Sequence, residues 1–205
     1  MCEDVWRDGR RVEAWENLDS YYKKEANCTV KSARGYVHLS GTEEQLKKYV
    51  FALPVYTAAT LPEGVCTWAM YSINGEIKFA ATSIQNAFEM GSSHKLLMLR
   101  LGATRIHGAG ELRKNGNTVD FNTQSGTYTR EWVRSRVRAR MCNGEELEDM
   151  ISEKARGFLS AYRIRPDIRT FITKELPITD DEIARYRAAG FVVQEFADQS
   201  QCPKP

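Results

Sequence analysis

Hydrophobic positions recur with a helical period near the start of the chain. In RVEAWENLDSYYKKEA, residues Val12, Trp15, Leu18 and Tyr22 fall three or four apart and share one face, which predicts a helix over residues 11–26. The period then shortens. After a turn at Ala33, Arg34 and Gly35, the run Tyr36 to Leu39 alternates as a strand does. Helix returns in GTEEQLKKYVFALP, where Thr42 with Gln45 spells a capping box, Glu43 and Glu44 suit the positive end of the helix dipole, and Pro54 stops the segment. These signals predict a helix from Thr42 to Phe51.

The middle of the chain has a different rhythm. β-favouring residues flank Asn74-Gly75, a dipeptide that supplies the positive φ of a tight hairpin, and predict strands Cys66–Ile73 and Glu76–Ala81. A second hairpin follows, with Lys114, Asn115, Gly116 and Asn117 between two short alternating runs. From Arg130 the helical period resumes, first through Val133, Val137 and Met141. It continues through Leu147, Met150, Ile151, Ala155, Phe158 and Leu159. The segment TFITKELPITDDEIARYRAAGFVVQEF reads as strand, helix and strand, with Thr179 as N-cap and Gly190 just past the helix end; the tail ADQSQCPKP is expected to fray.

No repeat, linker or low-complexity tract interrupts this order. The expectation is a single α+β domain over 1–205, with a central antiparallel sheet built from hairpins and helices at the N-terminus and in the C-terminal third. A helical N-terminal layer would occupy 1–65, the hairpin core 66–128, and a helical part ending in a strand 129–205.

Composition adds bounds. At 205 residues, 42% of them hydrophobic and 27% charged, the chain can bury one substantial core. Its formal charge of +2 gives net charge no part in nucleic-acid or membrane binding. Cys2, Cys28, Cys66, Cys142 and Cys202 form no C-x-x-C pair, so no zinc knuckle or redox motif is spelled out, and the odd number points to a reducing compartment. MCEDVWRDGRR lacks the apolar stretch of a signal peptide, and no run approaches the roughly 18 apolar residues of a membrane span. A soluble cytoplasmic protein is expected.

Candidate chemistry concentrates in residues 91–128. Ser92, Ser93 and His94 lie on a small-residue turn ahead of the apolar run Leu96 to Leu101, Glu111 follows Ala109 and Gly110, and Ser125, Gly126, Thr127 and Tyr128 end the second hairpin. His94 can exchange a proton near neutral pH, and Glu111 can orient it, act as a base or stabilise positive charge. Ser125, Thr127 and Tyr128 offer hydroxyls, while Gly126 admits a ligand close to the backbone. His94, Glu111 and Tyr128 are therefore the catalytic candidates, and Ser92, Ser93, Ser125, Gly126 and Thr127 the ligand-binding ones. Each also has a plain reading: a surface histidine, the exposed alternate of a strand, and ordinary turn chemistry.

Arg130, Arg134 and Arg138 fall on one helical line suited to an anionic partner, although Glu145, Glu146, Glu148 and Asp149 offer them salt bridges, which is the favoured reading. Nucleic acid is accordingly not favoured. His38 reads as a packing or edge residue. His107 stands too far from His94, with no third ligand, to spell a metal site. Trp6, Trp15, Trp68 and Trp132 read as core anchors, and phosphate loops, G-x-S-x-G elbows and H-E-x-x-H motifs are absent from the sequence.

EMGSSH at 89–94, AGEL at 109–112 and FNTQSGTY at 121–128 resemble a module of a poorly characterised protein family of giant DNA viruses. The pattern is also similar to part of the plant IQ-motif calmodulin-binding proteins and of some bacterial proteins. The likeness covers roughly residues 68–128 and extends in pattern to GFVVQEF. It implies a location in the host cytoplasm or virion. Plant members can carry arginine where Glu111 stands, many relatives have histidine where this chain has Thr127, and Ile84-Gln85 lacks the arginines of an IQ motif, so calmodulin binding is not implied. The order of His94 and Tyr128 before a later acid, Glu131, Glu175 or Glu195, is similar to that of His-Tyr-Glu ADP-ribosyltransferases, which implies NAD as cofactor. Two functions follow: a protein binding a small polar or nucleotide-like ligand, with acid/base or group-transfer activity, or a non-catalytic viral interaction or virion-associated protein that binds an acidic partner.

Overall fold

The computed structural model describes residues 2–12, 27–83, 93–123, 125, 142–160, 165–168 and 177–204. Along the chain the elements are helix α1 (Cys2–Asp8), strands β1 (Arg10–Arg11), β2 (Asn27–Ser32) and β3 (Gly35–Ser40), and helix α2 (Glu43–Phe51). Strands β4 (Gly64–Ser72) and β5 (Ile77–Thr82), helix α3 (Ser93–Leu101), and strands β6 (Arg105–Asn115) and β7 (Thr118–Phe121) follow. Helix α4 (Gly144–Ser160), strand β8 (Arg165–Ile168), helix α5 (Asp180–Ala188) and strand β9 (Val192–Phe196) complete the order. The chain is α+β, as expected. It divides into two units, one of Met1–Val12, Pro54–Ser83 and Leu101–Phe171, the other of Glu13–Leu53, Ile84–Arg100 and Ile172–Pro205.

The first unit is built on a sheet in the order β5-β4-β6-β7-β8, with β1 also on β6. Both predicted hairpins form. Gly75 at φ +87° and Gly116 at φ +58° turn the chain between β4 and β5 and between β6 and β7, and the pairs are antiparallel; β8 joins β7 in parallel. Strand alternation sends Cys66, Trp68 and Met70 of β4, Phe79 and Ala81 of β5, Leu112 of β6, and Val119 and Phe121 of β7 into one apolar cluster. Val5 and Trp6 of α1 and Leu147, Ile151, Ala155 and Leu159 of α4 complete that cluster, each large side chain contributing about 2 kcal/mol by burial.

Glycines in β6 set how closely this layer packs. A Cβ at Gly110 would collide with the Asn122 carbonyl, and one at Gly108, where φ is +148°, would lie 2.6 Å from the Ile151 side chain. At the same corner the Trp68 indole N–H donates to the carbonyls of Glu111 and Asn122, both at 3.1 Å, and the Asn122 side-chain oxygen accepts from the Glu111 amide at 3.1 Å. A disulfide joins Cys2 of α1 to Cys142, which precedes α4, across 140 residues of sequence. Lys154 of α4 adds an ion pair to Glu3 at 3.0 Å and stacks 4.6 Å above the Trp6 ring.

The second unit carries the antiparallel sheet β2-β3-β9. Helix α2 has the full capping box, with Thr42 accepting from the Gln45 amide and Gln45 reaching back to the Thr42 amide at 2.8 Å. Thr179 caps α5 by accepting from the Glu182 amide at 3.2 Å, and Gly190 at φ +95° ends it. Tyr49 of α2 stacks on Tyr186 of α5 at 4.0 Å between ring centres, and Phe191 meets Tyr186 edge-on at 5.0 Å. Burial pushes the phenols of both tyrosines well above their ordinary range.

Several expectations shift. The predicted helix over 11–26 lies outside the described residues from 13 onward, while Arg11 pairs with Arg105 as part of β1. Strand β2 completes a hairpin of which the sequence suggested only the second arm. The tail holds a short 3-10 turn at Gln199–Gln201, because Asp198 accepts from the Ser200 amide at 2.9 Å. The helix expected from Arg130 to Met141 and most of the strand expected in TFITKELP lie outside the described residues. Among those described, no helix is long and apolar enough to cross a membrane.

Two glycine substitutions separate close packing from backbone freedom. Gly110→Ala is expected to destabilise the fold by about 3 kcal/mol through forced separation of β6 from Asn122. Gly157→Ala, inside α4 with nothing within 4 Å, should stabilise it by about 1 kcal/mol. Urea unfolding with unchanged slope would measure both.

Candidate functional site

The sequence candidates are divided between the two units. His94 lies in the first turn of α3 and is 4% exposed, in the second unit; Glu111 is half-buried on β6 and Ser125 is buried, both in the first unit. Ser93 begins α3. Ser92, Gly126, Thr127, Tyr128, Arg130, Arg134 and Arg138 lie outside the described residues. His38 has its ring Nδ1 3.0 Å from the Thr29 hydroxyl of the paired strand β2, in keeping with a packing role.

His107 is committed to structure. Its Nδ1 lies 2.7 Å from the Trp6 carbonyl, an acceptor, so this nitrogen carries the proton. In the neutral ring Nε2 then accepts from the Ser72 hydroxyl at 2.8 Å. Burial holds the imidazole below its ordinary pKa of 6.5 and outweighs the carbonyl contact that favours the charged form. Gly9 packs against the ring, where a Cβ would come within 2.7 Å, and its φ of +67° is one that glycine adopts without steric cost.

Glu111 belongs to a set that the sequence reading missed. Pairing places Thr82 of β5 opposite Thr67 of β4, and Thr67 opposite Glu111 of β6, so the three form one row across the sheet. They alternate with the core-facing residues and therefore share the face away from the apolar cluster. Neighbouring members stand about 5 Å apart. Beside this row runs another of Ala80, Ala69 and Ala109, whose methyls add little bulk. The Ser125 amide donates to the Ala109 carbonyl at 3.4 Å and holds that serine next to β6. Arg113, two residues beyond Glu111, pairs with Asp120 of β7 at 3.2 Å.

Thr82 is fixed by donating to the Pro54 carbonyl at 2.7 Å. Thr82 and Thr67 are buried, and Glu111 is the member of the row that reaches solvent. The three alanines beside the row are buried too, so what the arrangement presents is a carboxylate for proton transfer or charge stabilisation, backed by buried hydroxyls and small side chains. The signal for it lay in the hairpin: once Ser72 pairs with Ile77, counting away from the turn, back along β4 and forward along β5, sets Thr67 opposite Thr82.

The chain matches no protein-family model, and neither curated proteins nor solved structures include a match to it. The resemblance to the viral and plant module therefore rests on the motifs themselves.

His107 makes stability depend on pH with a definite sign. A base held below 6.5 in the fold takes up protons first in the unfolded chain, so its contribution is complete above pH 6.5 and is lost as pH falls from there toward the folded value. Melting temperatures should drop more steeply below pH 6.5 in the wild type than in His107→Gln, which has no imidazole to titrate. Parallel slopes would contradict a neutral buried ring.

Proposed function

We propose that the chain binds a small polar, nucleotide-like ligand over the threonine–glutamate row of the first unit. The observation that carries this reading is the register that sets Thr82, Thr67 and Glu111 in line beside three alanines, with Ser125 held against Ala109. Threonine and serine hydroxyls both donate and accept, which suits ribose or amide groups, and with the threonines and alanines buried a ligand meets the row at its Glu111 end. Glu111 is the acid/base group of this proposal. A half-buried carboxylate can accept a proton from an attacking hydroxyl or face the positive charge that develops as a glycosidic bond opens.

The finer form of the proposal is NAD-dependent ADP-ribosyl transfer, supported by the order of His94 and Tyr128 in the sequence. The acid of that order is Glu131, Glu175 or Glu195; His94 and Glu195 belong to the second unit, and Tyr128, Glu131 and Glu175 lie outside the described residues. A second reading, the non-catalytic interaction protein, is favoured by the corner of Gly110, Trp68 and Asn122. There the AGEL and FN motifs are used for packing and hydrogen bonding.

Calorimetric titration separates the readings. NAD, or failing it another purine nucleotide, should give saturable heat that weakens at least about tenfold in Glu111→Gln and in Thr67→Val while the melting temperature of Glu111→Gln stays near wild type. Absence of heat with millimolar NAD would remove the transferase form. Absence with every nucleotide would leave the interaction protein.

A further inference from the structure

We infer that Cys2, Cys142 and Glu146 form a binding site for a thiophilic divalent cation of the zinc type when the Cys2–Cys142 disulfide is reduced. One ligand atom from each of these residues lies within 4.8 Å of the others. Tetrahedral zinc with sulfur at about 2.3 Å and oxygen at about 2.1 Å sets its ligands roughly 3.5–3.8 Å apart, so a small opening of the sulfurs completes three corners. Water takes the fourth. The Cα atoms of the cysteines are 5.3 Å apart, and both side chains are partly accessible, as an ion's entry requires.

Two further contacts favour this use of the sulfurs. Glu146 Oε2 lies 3.2 Å from Cys2 Sγ, and the Asn143 carbonyl oxygen lies 3.4 Å from Cys142 Sγ. A disulfide sulfur has no proton to offer either oxygen, whereas a thiol donates to both and a bound cation attracts the carboxylate. The ligands are also positioned independently of the sulfur–sulfur bond. Val5 and Trp6 hold α1 in the apolar cluster with Leu147 and Ile151 of α4, and Lys154 ties α4 to Glu3. Asn143 accepts from the Glu145 amide at 2.9 Å and so fixes the first turn of α4, which carries Glu146. The parts of the site therefore stay together after reduction.

The exchange balances with a low-molecular-weight thiol as reductant. Two thiol molecules reduce the disulfide and leave as their own disulfide, the chain gains two thiols, and zinc then displaces a proton from each as two Zn–S bonds form. Oxidation reverses this and expels the ion, so the same pair of sulfurs holds either each other or a metal.

Full-length protein reduced with a phosphine, stripped of metal and titrated with zinc against a chromophoric chelator tests the site. One equivalent should be taken up by reduced protein and none by oxidised protein. Cys142→Ser should weaken uptake more than about 100-fold and Glu146→Gln about tenfold. Cobalt substituted for zinc should give a sulfur-to-metal charge-transfer band that Cys142→Ser diminishes. Cys2→Ser serves as the second variant if Cys142→Ser fails to fold, as judged by circular dichroism. The inference is overturned if reduced protein leaves the zinc with the chelator, or if folded cysteine variants take it up as the wild type does.

Discussion

The indole N–H of Trp68 is shared between two carbonyl oxygens, those of Glu111 and Asn122, at the point where the chain after β7 leaves the sheet. That sharing is geometrically available only because Gly110 lets Asn122 approach the backbone of β6 more closely than any side chain would permit. An indole buried without a partner would cost about 1–3 kcal/mol; here it joins the Asn122 amide, at 3.0 Å, in donating to the Glu111 carbonyl, and it also serves the Asn122 carbonyl. With Trp68 stacked against Phe79 and edge-on to Phe121, this corner couples the hydrogen bonding of β6 to the packing of the apolar cluster.

From that corner the two faces of the sheet take opposite characters. One is filled by tryptophan, phenylalanine, methionine and leucine from four strands and two helices. The other carries threonine, alanine and glutamate, with little bulk and several hydrogen-bonding groups. Both faces are packed, for Thr67, Thr82, Ala69, Ala80 and Ala109 are buried as the large side chains are. Within the row Glu111 is the position that reaches solvent, and its amide and carbonyl are both anchored at the corner.

Buried polar groups serve structure elsewhere. His107 links α1 to β4 through the Trp6 carbonyl and the Ser72 hydroxyl, and both ring nitrogens are occupied. In the second unit, Glu182 is buried in the first turn of α5, near the tyrosine stack that joins α5 to α2. Its negative charge is one of the reasons the Tyr49 phenol is held up, after burial itself.

Features decided within four residues were legible in the sequence. Thr42 and Gln45, Thr179 and Gly190, and the Asn74-Gly75 and Asn115-Gly116 turns do in the fold what their local chemistry dictates, because each partner is a near neighbour in the chain. The inward stripe of α4 was legible for the same reason: a helix fixes which residues share a face. Strand β2 was harder, since NCTVKS buries only Val30 and shows little alternation. Glu111 could be singled out by its small neighbours, but its alignment with Thr67 and Thr82 depends on strand register. The Cys2–Cys142 pair and the contact of His107 with Trp6 bridge 140 and 101 residues. Local sequence thus determined the elements and their ends. Which distant side chains meet was decided only by tertiary packing, because apolar burial rewards bringing faces together without specifying, residue by residue, the polar groups carried along with them.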